Sequence, residues 1–73
     1  MTVKERQQQS SLRTQSRVSA ESLMEDGIRL HRADPSYAAM CFAKAWQLFD
    51  GLEDAWNADI AAQWKLSIEN VAA

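Results

Sequence analysis

The sequence predicts an all-α protein: a small three-helix bundle, built as a helical hairpin plus a third helix, behind a disordered N-terminal arm. Three observations predict it. Helix punctuation at Asp34-Pro35-Ser36 and at Asp50-Gly51 cuts a helix-friendly chain into segments. Apolar residues between the breaks recur at helical spacing, while period-two alternation is missing and β-branched residues are few. The breaks are also short, as antiparallel neighbours in a bundle require. On this reading residues 1–18 are a flexible basic and polar arm, and residues 19–73 are the three-helix domain.

The arm contains Gln7-Gln8-Gln9-Ser10-Ser11, a low-complexity run without apolar residues, and Leu12 and Val18 stand isolated. Such a segment has little apolar surface to bury, so it is expected to be disordered or weakly helical. Helix 1 is expected from about Ala20 to Arg32. Ser22-Leu23-Met24-Glu25 matches a capping box, with Ser19 as an alternative cap. Leu23, Gly27, Leu30 and His31 share one face, which Met24 and Ile28 widen. Glu25 and Arg29 have the favourable i, i+4 order. Gly27 within a helix costs about 1 kcal/mol against alanine, and its presence points to close approach by a neighbouring helix.

Helix 2 is expected from Pro35 to about Phe49. Asp34 reads as its N-cap, Pro35 as its first residue and Gly51 as a left-handed stop. Its apolar residues, from Tyr37 to Phe49, cover nearly the whole circumference, with Lys44 and Gln47 as a narrow wet strip. A helix that is apolar all round packs on two sides, so helix 2 should be central. Helix 3 is expected from Leu52 or Glu53 to Asn70. Leu52, Trp56, Ile60, Trp64, Ile68 and Val71 make a stripe of period near four, and Ala55, Ala58, Ala61 and Ala62 permit close packing. Leu66 lies off that stripe, either exposed or on a second contact face.

A chain of 73 residues is one domain at most, and so small a body is only marginally stable alone. Cys41 is the only cysteine, so disulfides are excluded and a structural zinc lacks ligands. Dense aromatic packing, self-association or a partner remain as aids. Charge divides unevenly. Lys4, Arg6, Arg13 and Arg17 against Glu5 give residues 1–18 a charge of +3, while residues 19–73 carry -5. An acidic body repels nucleic acid and anionic membrane. No apolar run approaches a membrane span, no signal-peptide core follows Met1, and a lone reduced cysteine suits a reducing compartment, so a cytoplasmic location is expected.

Leu23 to Asp50 resembles a single tetratricopeptide repeat. Leu23, Gly27 and Leu30 match the large, glycine and bulky positions of that family's first helix, and Ala38, Phe42 and Ala45 match the Ala, aromatic and Ala positions of its second. The spacing from Gly27 to Ala38 is one residue shorter than the family's. Asp26 stands where leucine is usual, and Asp50 where the closing proline is usual. The resemblance implies a helical hairpin with a protein-binding surface and no enzymatic activity.

Candidate chemistry is sparse, and no catalytic residue, metal ligand set or cofactor site is expected. His31, near the end of helix 1, suits packing and last-turn capping. Cys41, in the middle of an apolar helix, suits a buried small hydrophobe. A Cys–His nucleophile pair would also need an orienting group and a cleft, which so small a body offers poorly. Asp50, Glu53, Asp54 and Asp59 gather carboxylates at the helix 2–3 junction without the alternating spacing of a calcium loop, so they read as caps and a solvated acidic face, with an acidic contact patch for a basic partner surface as the alternative. At least two of Trp46, Trp56 and Trp64 are expected in the core, and a partly exposed tryptophan or Phe49 would be the natural anchor for a partner.

The expected function is a small non-enzymatic protein–protein interaction module, a regulator or inhibitor of a larger complex. Its contact residues would be Trp46, Phe49, Trp56, Trp64, Asp50, Glu53 and Asp54, with Arg13 and Arg17 acting from the arm. One alternative is a nucleic-acid-associated transcriptional regulator using that basic arm. Helix 2 argues against major-groove reading, since only Lys44 and Gln47 are polar on its outer face. Another alternative is a self-associating structural module, a homo-oligomer.

Overall fold

The structure is a computed structural model that describes the backbone of residues 3–72 and the side chains of residues 12–70. Three α-helices follow one another, α1 at Val3–Leu30, α2 at Pro35–Gly51 and α3 at Ala55–Ala72, and there is no strand among the described residues. α2 packs along both α1 and α3, whose backbones barely approach each other. The central place expected for the helix that is apolar all round is therefore the observed one.

Local chemistry accounts for the two breaks. The Asp34 side chain accepts a hydrogen bond from the Tyr37 backbone N–H at 3.2 Å, and Pro35 takes the first helical position, where its missing N–H costs nothing. At the other end of α2 the expected stop is displaced. Gly51 is still helical and has no positive φ; the left-handed residue is Glu53, at φ 60°. The Asp54 N–H donates to the Phe49 carbonyl at 2.9 Å and the Glu53 N–H to the Asp50 carbonyl at 3.0 Å, which is the paired bonding of a Schellman motif. Leu52, buried at the helix end, fixes where the chain turns, so the strained conformation falls one residue later, on a glutamate.

α1 begins well upstream of the expected start near Ala20, and the proposed caps Ser19 and Ser22 lie inside it. Arg13 and Arg17 reach from it to the α2–α3 turn, a tie that hydrophobic patterning does not register. Side chains of residues 1–11, most of the expected arm, lie outside the described residues, as does that of Val71 in the expected α3 stripe. α1 has 28 residues against 17 in α2, about 42 Å against about 26 Å at the helical rise, so its front extends past the turn. Its packing face is Ala20, Leu23, Met24, Gly27 and Leu30. Ile28 points outward instead of widening that face, and Arg29 pairs with Asp26 at 2.9 Å, not with Glu25.

The core has two linked parts. Phe49 and Leu52 pack with Ala20, Ala45, Ala58 and Ala61 near the α2–α3 turn. Phe42 packs with Ala38 and Ile68 at the other end, and Met24 lies against both parts. Phe42 occupies the space that Gly27 leaves: a Cβ on Gly27 would stand 2.7 Å from the Phe42 ring. The same ring stacks on Trp64, with centroids 5.4 Å apart and planes 11° apart. The neighbour that meets Gly27 is thus the Phe42 ring of α2, which fills the space beside α1.

α3 corrects the expected stripe. Its buried face runs through Ala58, Ala61 and Ile68, while Trp56, a member of that stripe, points to solvent. Phe49 and Leu52 supply the bulk at this interface, so the facing helix needs small residues to come close. Leu66, the residue off the stripe, is exposed.

Candidate functional site

The α2–α3 junction concentrates most of the polar geometry, and Asp54 is its centre. Its carboxylate caps α3, accepting from the Asn57 backbone N–H at 3.2 Å and from the Asn57 side-chain amide at 2.8 Å. The same carboxylate accepts from Arg17 of α1 at 2.9 Å. Hydrogen bonds from the Asn57 side chain, then from Arg17, then from the Asn57 backbone, hold its pKa below the ordinary carboxylate value. Beside it Arg13 donates to the Leu52 carbonyl at 3.3 Å, one of the carbonyls that the end of α2 leaves without a helical partner. One carboxylate thus follows the close of α2, starts α3 and binds α1.

Arg13 and Arg17, expected to contact a partner from the arm, therefore serve the fold. They line a depression of about 260 Å³ together with Thr14, Val18, Glu21 and Leu52. Asp54 is likewise engaged within the molecule, whereas Asp50 and Glu53 stay exposed. Sequence reasoning missed this clasp. Its one signal was the i, i+4 spacing of two arginines opposite a cluster of carboxylates.

The tryptophans divide differently from expectation. Trp56 is 77 % exposed and Trp46 43 % exposed, so only Trp64 is packed into the body, and partly at that. Phe49, considered as an exposed anchor, is 1 % exposed and fills the core. Besides stacking on Phe42, Trp64 meets the His31 ring edge-on at 5.2 Å, so His31 joins α1 to α3. The His31 Nδ1–H donates to the Ile28 carbonyl at 2.6 Å, and the ring caps the end of α1. Met40 and Tyr37 of α2 are also exposed. A shallow depression of about 270 Å³ on α3 is lined by Ile60, Gln63, Trp64 and Ser67.

Cys41 is buried. Among the described residues no three His, Cys, Asp or Glu side chains gather into a group able to hold a metal ion, and no helix is long and apolar enough to cross a membrane. No family model, no curated protein and no solved structure matches this chain.

Proposed function

We propose that the protein is a small, non-enzymatic interaction module that regulates or inhibits a larger protein complex by docking through the exposed aromatic residues of α2 and α3. One observation carries the reading. Among the described residues, the large side chains that are fully buried are Phe42 and Phe49, while Trp46, Trp56, Tyr37 and Met40 remain in solvent. Tryptophan and tyrosine give large contact area at low entropy cost, and they dominate the binding energy of protein interfaces. A domain that left two indoles unused by its own core would lose apolar burial it can ill spare at this size. The likeness of Leu23 to Asp50 to a tetratricopeptide hairpin agrees with a binding role.

The test is capture from the source cell by the full chain, compared with a Trp46→Ala/Trp56→Ala variant. Helical circular dichroism should be retained, because both side chains are exposed. Proteins held by the parent chain should be absent from the variant's capture. An unchanged set of captured proteins would refute the proposal.

A further inference from the structure

The occupant of this face is open to a closer identification from the charges around it. Trp46 and Asp50 stand one turn apart on α2, Trp56 and Ile60 one turn apart on α3 with Asp59 beside them, and Glu53 sits in the turn between. The short antiparallel hairpin places all six at one end of the molecule. Between Lys44 and Lys65 the chain has four carboxylates and no lysine or arginine. Arg13 and Arg17 reach this end, but Arg17 is bound to Asp54 and Arg13 to a backbone carbonyl. Among the described side chains, four carboxylates against two guanidinium groups leave the α2–α3 junction negative. Lys65, the next cation along α3, is paired with Glu69.

Resting on the docking reading above, we propose that this end receives a basic polypeptide segment, one that brings arginine or lysine side chains to the indoles of Trp46 and Trp56. Indole faces attract cations through their quadrupole, and flanking carboxylates strengthen that attraction and steer the approach. The same field repels phosphate, which sets nucleic acid aside as the occupant. Asp50, Glu53 and Asp59 are exposed, so a partner reaches them without rearrangement of the fold.

The experiment selects a random short-peptide library, displayed on phage, against the full chain. The strongest peptide is then titrated into the parent chain, Trp56→Ala and the triple variant Asp50→Asn/Glu53→Gln/Asp59→Asn, each verified as helical. The expected result is a selected set rich in arginine and lysine. Its binding should weaken about tenfold in the triple variant, as loss of charge complementarity predicts, and should fall as salt rises. Trp56→Ala should weaken it at every salt concentration. Neutral or acidic selected peptides that still depend on Trp56 would overturn the basic partner and leave the docking face standing. Peptides indifferent to Trp56, or no selected peptide at all, would overturn both.

Discussion

Replacing Gly27 by alanine probes the contact between α1 and the Phe42 ring, and the two effects it produces have opposite signs. Alanine is the better helix former by about 1 kcal/mol, so an unobstructed helix would gain that much. Here the new Cβ would lie 2.7, 2.8 and 2.9 Å from three carbons of the Phe42 ring. Carbon atoms pack best at about 3.5–4.0 Å, so the ring must retreat by most of an ångström. It has no room, being fully buried and stacked on Trp64. Overpacking of this kind costs about 2 kcal/mol, which leaves a net loss of about 1 kcal/mol. Urea unfolding followed by circular dichroism should show a lower midpoint at unchanged slope, and thermal melting a fall of about 4–8 °C. The same substitution in a Phe42→Leu background, where the ring tip is gone, should reverse sign and stabilise. A raised midpoint in the parent chain, or an equal loss in both backgrounds, would refute the contact on which the helix-pair geometry depends.

Two further perturbations address the junction. Glu53→Gly should stabilise by about 0.5–1 kcal/mol, because glycine adopts the left-handed conformation without the Cβ penalty; an unchanged or lower urea midpoint would contradict the φ of this residue. Asp54 has a folded pKa below its unfolded one, so its carboxylate contributes stability that is complete above the ordinary value of about 3.9 and is lost as pH falls through the lower folded value. The midpoint advantage of the parent over Asp54→Asn should therefore be constant near neutral pH and shrink in acid. A difference independent of pH down into the acid range would refute the assignment.

Much of the helical plan was legible because its signals are local. Asp34 and Pro35 cap α2 through their own side chain and ring, and Gly27 announced a close neighbour through a missing Cβ. Other features depend on which surfaces meet. Gly51 permits a left-handed turn but does not compel one; the chain keeps Leu52 buried and turns at Glu53. The large apolar residues of α3 gave the stronger periodic signal, and Trp64 and Ile68 do pack on Phe42, yet near the α2–α3 turn alanines make the contact because Phe49 and Leu52 bring the bulk. The early start of α1 left no apolar periodicity to read. For the candidate surface, the acidic and aromatic residues were legible individually. Their roles were not: burial took Phe49 out, and internal pairing took Arg13, Arg17 and Asp54 out.

The backbones of α1 and α3 barely approach each other, and side chains make most of what joins them, which has a consequence for how the molecule comes apart. Displacing either flanking helix breaks one long interface and the side-chain ties between the outer two, whereas loosening the middle one dissolves both long interfaces at once. Hydrogen exchange should then follow a gradient: the amides of Cys41, Phe42 and Ala45 open only with the whole molecule, while those of the flanking helices open through smaller excursions. The same asymmetry makes the middle helix the place where one substitution is felt on two fronts, and the outer pair the place where sequence change is most easily absorbed.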